Sequence, residues 1–216
     1  MQKRLLFWYN SQRMEKTIIQ VGPYGVNCTI LEVGGKAFVV DPGHEAKRIL
    51  ATVADKGLPL AGILLTHAHF DHIGALPGIT EAFPDIPICL GEKDVSVLTH
   101  PMNQFPPDYP PISKPKNLKP AAFAEELIDG LKVIETPGHT PGGVCYHFAA
   151  EHLLLSGDTL FAGSVGRTDL PGGDMPTLMA SLEKLTALPD DTTVVPGHGP
   201  RTTIGAEKRG NPFLAG

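Results

Sequence analysis

Cysteine is scarce in this sequence: Cys28, Cys89 and Cys145 are odd in number, far apart and outside any CxxC pair. A disulfide framework needs paired cysteines, so we expect three buried, unpaired thiols. Long hydrophobic runs are also missing, and no stretch approaches the roughly 20 apolar residues of a membrane span. The N-terminal "LLFWY" is shorter than the apolar segment of about 7–15 residues in a signal peptide. We therefore expect a cytoplasmic protein without a membrane partner.

Runs of basic residues are absent as well. The chain carries 18 basic and 23 acidic residues, a net charge of −5. The sequence therefore has no basic run that could follow a phosphate backbone, and nucleic acid is not expected as a partner. Glycine and proline are plentiful, at 24 and 21 of 216 residues, and indicate a globular chain with many tight turns. We assign residues 14–216 to one domain and interpret residues 1–13 as an N-terminal extension.

Both halves of the chain alternate β-branched segments with helical patterns, and each half ends its strands in short loops that hold His or Asp. Strands are predicted at 17–21, 28–33, 37–41, 61–66, 86–90, 131–137, 143–148, 152–158 and 192–199. Helices are predicted at 45–56, at 92–98 and at 177–187, and a further helix is predicted from about residue 72 to about residue 83. This order predicts a four-layer αββα sandwich with a site along one sheet edge.

Residues 100–120 contain seven prolines, too many for a helix or an inner strand. We predict a long loop here. A lid or partner surface and a plain surface excursion are both compatible with it.

The stretch "THAHFDH" at 66–72 places four metal-binding side chains within six residues: His67, His69, Asp71 and His72. Side chains two apart in an extended segment point the same way, so the first two histidines can bind one ion together. The last two residues stand where a helix begins and should point elsewhere. The side chains of the motif are thus predicted to point in two different directions.

Further candidate ligands lie in "PGHTPG", "LSGD" and "VPGHG", namely His139, Asp158 and His198. A lone His in a glycine-rich loop is more often a hydrogen-bonding residue, but the clustering here favours a metal site. Seven ligands are too many for one tetrahedral ion. With Asp158 counted twice as a bridge, two sets result: His67, His69, His139 and Asp158, and Asp71, His72, His198 and Asp158.

These motifs together resemble the metallo-β-lactamase fold superfamily. The most similar branch is glyoxalase II, or hydroxyacylglutathione hydrolase, in its short bacterial form, with "GRTDLPGGD" at 166–174 and "GHGPRTTIGAEKRGNPFL" near the C-terminus as further matches. The resemblance implies an αββα sandwich, two divalent metals and hydrolysis of a small-molecule thioester such as S-lactoylglutathione. Zinc is the expected metal, with iron and manganese as alternatives.

The implied mechanism is attack on the thioester carbonyl by a hydroxide held between the two metals. Asp71 is then a candidate for steering the proton of that water, or serves as a ligand only. Asp41 resembles the family's acidic residue that orients the ligand loop, although a plain turn before Pro42 would also explain it. Arg167 could clamp a substrate carboxylate, or pair with Asp169.

Other branches of the superfamily are the competing interpretations. Common β-lactamases have Cys at the position of Asp158, so a β-lactam substrate is not expected. Persulfide dioxygenases share the histidine motif and "GRTD" but use one iron, at residues matching His67, His139 and Asp158. Lactone or phosphoester hydrolysis is a further alternative. Long glyoxalase II enzymes bind glutathione with a helical domain after their NPF segment, whereas this sequence stops at Gly216. A thioester substrate is therefore expected, and whether it contains glutathione is left open.

Overall fold

Two β-sheets pack face to face between helices in the computed structural model, which describes residues 14–104 and 112–214. The expected extension at 1–13 lies outside the described residues. Strands of the first sheet are β1 (Glu15–Val21), β2 (Val26–Val33), β3 (Lys36–Val40), β4 (Leu60–Leu64), β5 (Ile88–Leu90) and β6 (Leu118–Pro120), in that order across the sheet.

The second sheet is formed by the second half of the chain. Its strands are β7 (Leu131–Glu135), β8 (Val144–Phe148), β9 (Leu153–Gly157), β12 (Thr193–Pro196) and β13 (Thr202–Thr203). Their order is β13-β12-β9-β8-β7. A separate hairpin consists of β10 (Leu160–Phe161) and β11 (Ser164–Val165), which the sequence did not predict.

Most of the helices lie on the outer faces of the two sheets, and the one at Ala124–Leu127 packs against the core between the sheets. The helices are α1 (Ala46–Asp55), α2 (Phe70–Ile73), α3 (Leu76–Ala82), α4 (Val95–Leu98), α5 (Ala124–Leu127), α6 (Met175–Thr186) and α7 (Ile204–Gly210). The helix predicted to reach Phe83 is therefore two short helices. They separate where the Ala75 N–H donates to the Pro42 carbonyl, 2.9 Å away, instead of continuing the helical pattern of α2.

Three apolar cores lie between the four layers of the sandwich. One lies between the first sheet and its helices, one between the two sheets, and one between the second sheet and helices α6 and α7. The middle core includes Phe38 and Leu64 of the first sheet together with Tyr146 and Leu155 of the second. The predicted αββα sandwich is confirmed.

The β2–β3 hairpin forms as its sequence predicts. Gly34 and Gly35 both have positive φ, of 58° and 74°, which a two-residue hairpin turn requires and glycine adopts at little cost. Strands β3, β4 and β5 then run parallel. As a result the carboxyl ends of these strands lie at one edge of the sheet.

The proline-rich segment is only partly a loop. Residues 101–104 form a 3₁₀ turn, and β6 pairs in parallel with β5 as an edge strand that ends at Pro120. An edge strand tolerates proline because one side of its backbone needs no partner. The expectation of loop throughout 100–120 is therefore wrong at these positions, and 105–111 lie outside the described residues.

The cysteines are buried and unpaired, as expected. No helix within residues 14–104 and 112–214 combines the length and the hydropathy that a membrane span requires.

Tyr146 joins the two sheets through a polar contact in the middle core. Its side chain is fully buried and its hydroxyl donates to the Leu65 carbonyl, 2.8 Å away. We expect Tyr146→Phe to lower the free energy of unfolding by about 1–3 kcal/mol, because the carbonyl stays buried without this donor. Urea unfolding of chelator-treated protein measures the change. A loss below about 0.5 kcal/mol would show that the bond contributes nothing net.

Candidate metal centre

Polar side chains converge where strands of both sheets end. His67 follows β4 and Asp41 follows β3, and these two strands are parallel. In the second sheet, β7 and β9 both run antiparallel to β8, and β12 is parallel to β9, so β7, β9 and β12 share one direction. Their carboxyl ends lead to His139, Asp158 and His198. One edge of the sandwich therefore collects all the predicted ligands.

The first predicted ligand set lies in one cluster. Potential ligand atoms of His67, His69 and His139 all lie within 4.8 Å of one another, and all three residues are buried. Nδ1 of His69 is 2.9 Å from Nε2 of His139. Nε2 of His67 is buried and has no hydrogen-bond partner among the described residues. Three imidazole nitrogens thus face a common point.

The second predicted set is assembled beside it. Ligand atoms of Asp71, His72 and His198 also lie within 4.8 Å of one another. Oδ2 of Asp71 is 3.2 Å from Nε2 of His198, and the Nε2 atoms of His72 and His198 are 3.3 Å apart. The motif at 66–72 therefore does send its side chains in two directions.

Asp158 lies between the two clusters. Its Oδ2 is 3.6 Å from Nε2 of His139 and 3.6 Å from Nε2 of His198, while its Oδ1 is 3.3 Å from Nε2 of His72. One carboxylate thus reaches members of both sets, which is the position that a bridging ligand needs. The clusters are continuous, because His67, His72 and Asp158 form a third group within the same distance limit.

Contacts behind the imidazoles determine which nitrogen is free to bind a metal. Nδ1 of His139 donates to the Arg167 carbonyl at 2.7 Å, and Nδ1 of His198 donates to the Tyr24 carbonyl at 3.0 Å. In each ring the Nε2 lone pair then points into the cluster. Such partners fix both the tautomer and the orientation of a metal-binding histidine.

Asp41 holds the first-half ligands in the same way. Its carboxylate accepts the N–H of Thr66 at 2.7 Å, the hydroxyl of Thr66 at 2.6 Å and Nδ1–H of His72 at 3.0 Å. Because the Thr66 hydroxyl donates to Asp41, its oxygen accepts from Nδ1 of His67, 3.1 Å away. Asp41 has a φ of 49°, which is uncommon for a residue other than glycine. It therefore contacts one predicted ligand directly and a second through Thr66.

Two histidines of the first set are held neutral. Burial, followed by the neighbouring imidazoles, lowers the pKa of His67 well below its ordinary value. The same effects lower the pKa of His69 to about 3. A neutral imidazole is the form that binds a metal, so these side chains are ready for a cation without losing a proton.

Carboxylates control the charge of the second set. Burial alone would lower the pKa of His72, but Asp158, Asp71 and Asp41 raise it well above its usual value. Burial would likewise raise the pKa of Asp158, yet His72 and other imidazoles hold it well below its usual range. The carboxylate is thus ionised and partly buried beside several nitrogen donors. This mixed donor set, with an unpartnered buried Nε2 at His67, fits zinc or another divalent transition metal.

Arg167 is placed at the surface. Its side chain is 61% exposed, and its guanidinium donates two hydrogen bonds of 2.7 Å each to the carboxylate of Asp169. This is the pair that the sequence offered as the alternative to a substrate clamp. The backbone carbonyl of Arg167, which orients His139, is its contact with the centre.

Two polar residues outside the predicted set support the ligand loops. Asp94 accepts hydrogen bonds from Ala68 and from residues after His139. Asn103 donates to the carbonyl of Ala68 and accepts from the N–H of Phe70. The signal for Asp94 was its place just after strand β5, in "LGEKD", where polar residues of parallel strands gather.

A separate cavity of about 360 Å³ lies between edge strands β6 and β7. Residues 91–93 and 141–144 line part of it. Its mixed lining contains none of the predicted metal ligands. We therefore place the chemistry at the histidine cluster and not in this larger space.

Comparison with known proteins agrees with the geometry. The family profile of the metallo-beta-lactamase superfamily matches residues 21–198. The chain is 41% identical to the probable metallo-hydrolase YqgX of Bacillus subtilis, over 91% of this chain and 95% of that protein. It is 36% identical to the hydroxyacylglutathione hydrolase GloC of Haemophilus influenzae, over 93% and 98% of the two chains.

Solved structures give the same result. The protein TTHA1623, in a di-iron-bound form, is similar with a TM-score of 0.83 and 40% identity, over 92% of this chain and 100% of that chain. The B3 metallo-beta-lactamase BLEG-1 is similar with a TM-score of 0.82 and 37% identity, over 94% and 100%. The fold of this superfamily implies divalent metals, and the seven clustered side chains supply suitable ligands. The chain belongs to the metallo-beta-lactamase superfamily and is a metal-dependent hydrolase.

Proposed function

We propose that the protein hydrolyses a small-molecule thioester, such as S-lactoylglutathione, at a centre of two divalent metals. The observation that carries the proposal is the position of Asp158, whose two oxygens reach members of both ligand clusters. The similarity to GloC over nearly the full length of both chains supports the thioester as substrate. Zinc is our preferred metal, and iron is the alternative that the di-iron form of TTHA1623 suggests.

Each of the two ligand sets would hold one ion. His67, His69, His139 and Asp158 would hold the first, and Asp71, His72, His198 and Asp158 the second. When bound, such a pair of ions supplies hydroxide near neutral pH and stabilises the negative charge that develops on the carbonyl oxygen. No side-chain nucleophile is then required.

The remaining chemistry belongs to the side chains around the ions. Asp71 is our candidate for accepting the proton of the attacking water, with service as a ligand only as the alternative. Its Oδ2 lies in the cluster, 3.2 Å from Nε2 of His198, and 13% of the side chain is exposed, which supports the first role. Asp41 and Thr66 keep His72 and His67 in the required tautomers.

Metal analysis and a thiol-release assay test the proposal together. We expect about two metals per chain and rapid release of thiol from S-lactoylglutathione. One iron per chain, with oxygen consumption on glutathione persulfide and no thioester hydrolysis, would show a persulfide dioxygenase instead. A lactone and a phosphodiester complete the panel as substrates of other hydrolases.

A β-lactam is the second candidate substrate, because the similarity to BLEG-1 covers 94% of this chain. A chromogenic cephalosporin offered to the same preparation decides between the two. We expect turnover of the thioester to exceed turnover of the cephalosporin. The reverse order would contradict the thioester proposal and leave the metal centre as described.

A further inference from the structure

Asp94 is a fully buried carboxylate whose partners are all uncharged. It ends the 3₁₀ turn at Glu92–Asp94 and has no exposed surface. Its Oδ2 accepts the N–H of Ala68 and the hydroxyl of Thr140, both at 2.9 Å, and its Oδ1 accepts the N–H of Gly142 at 2.6 Å. Burial of a carboxylate costs free energy, which hydrogen bonds to its oxygens offset. The three hydrogen bonds that Asp94 accepts therefore indicate a specific role for this side chain.

The donors belong to the two loops that carry the first ligand set. Ala68 stands between His67 and His69, in the loop after β4 of the first sheet. Thr140 and Gly142 follow His139, in the loop after β7 of the second sheet. The histidines of this set therefore come from separate halves of the chain, and Asp94 bonds to both loops beside them.

Close packing gives these loops little freedom to move around Asp94. A Cβ atom added to Gly142 would lie 2.5 Å from the backbone nitrogen of Asp94 and 2.9 Å from its Oδ1. A Cβ atom on Gly91 would overlap the carbonyl oxygen of Gly142. The segment that carries Asp94 is thus packed directly on the loop after His139.

A second connection between the halves passes nearby. The N–H of Val144 donates to the carbonyl of Thr66 at 2.8 Å. This bond joins backbone to backbone at the bases of the two loops, whereas the Asp94 carboxylate joins them next to the ligands. Loss of Asp94 would therefore leave the halves connected but the ligand positions less fixed.

We propose that Asp94 is a positioning residue of the metal centre, which sets the distance between the loop of His67 and His69 and the loop of His139. It binds no metal and no substrate. The inference rests on the proposed metal centre but not on the thioester, so its test uses metal binding without substrate.

The first test is Asp94→Asn. Asparagine has one acceptor oxygen and one NH₂ group, so at least one of the three donors must face another donor. We expect the affinity of one of the two metal-binding steps to fall about 10- to 100-fold, the usual effect of losing outer contacts, while the other step changes less. Chelator competition with Zn²⁺ gives the affinities. The visible absorption spectrum of the Co²⁺ protein reports the ligand geometry and is expected to change.

Glu207→Gln is the matched control. Glu207 is also buried and accepts three hydrogen bonds, from Thr202, Gly163 and Asn211, but it contacts neither loop of the first ligand set. We expect this variant to lower thermal stability while metal affinity and the Co²⁺ spectrum stay unchanged. If Asp94→Asn behaved in the same way, Asp94 would be purely structural and the proposal would be overturned.

Thr140 provides a milder pair of variants should Asp94→Asn fail to fold. Thr140→Val removes only the hydroxyl bond to Asp94, and Thr140→Ser keeps it. We expect weaker metal binding in the valine variant and near-normal binding in the serine variant. Equal metal affinity in both variants would contradict the proposal.

Discussion

Asp158→Ala is expected to reduce the metal content from about two per chain to one or less and to lower thioester hydrolysis by more than about 100-fold. The loss should exceed that of an outer contact, which typically costs 10- to 100-fold, because a shared ligand is removed from both sets. Oxygens of Asp158 lie 3.3–3.6 Å from nitrogens of His72, His139 and His198. Metal analysis by mass spectrometry and the thiol-release assay measure the two effects.

The matched control for this variant is Asp169→Ala. Asp169 is an exposed aspartate in the same stretch of chain, paired with Arg167 outside the cluster. We expect its metal content to equal that of the unmodified protein. If Asp158→Ala also kept its full metal content, the assignment of Asp158 as a bridge would be wrong, even if activity were lost.

The sequence indicated which side chains would cluster, because the signals for this are local. Spacing within 66–72 decides the direction of each side chain, and a helix does begin at Phe70, which turns Asp71 and His72 away from the first pair. The loops after β7, β9 and β12 each combine a strand end with a tight turn. Strand direction then brings them to the same edge, a consequence of topology that the alternating elements already indicate.

The contacts of Asp94 could not be predicted in the same way. They join residues 26 to 48 positions apart, and the packing of two loops from different sheets decides them. The break between α2 and α3 has a similar origin, because the Ala75 N–H donates a hydrogen bond to the carbonyl of Pro42, which is distant in the sequence. Tertiary hydrogen bonds of this kind leave no periodic pattern in the sequence.

Gly197 illustrates another feature that only the packing reveals. A Cβ atom at this position would overlap Oδ1 of Asp158 and lie 2.6 Å from Cε1 of His72. The backbone cannot move away easily, since the Gly197 N–H donates to the Gly157 carbonyl and its own carbonyl accepts the Asn27 N–H, both at 2.8 Å. A side chain here would therefore have to displace the two ligands.

We accordingly expect Gly197→Ala to weaken metal binding by about 10- to 100-fold and to reduce thioester hydrolysis with it, because displaced ligands lose their shared geometry. The free energy of unfolding of the metal-free protein should fall by about 1–3 kcal/mol, the usual cost of overpacking. Chelator competition and urea unfolding measure these changes.

Gly210→Ala separates this effect from that of any added methyl group. Gly210 ends α7, and no described atom outside its own helix lies within 4 Å of the added Cβ. This control should keep normal metal affinity and stability. Normal metal affinity in Gly197→Ala would mean that Asp158 and His72 can move apart without loss, and the two ligand sets would then not depend on the close contact of these loops.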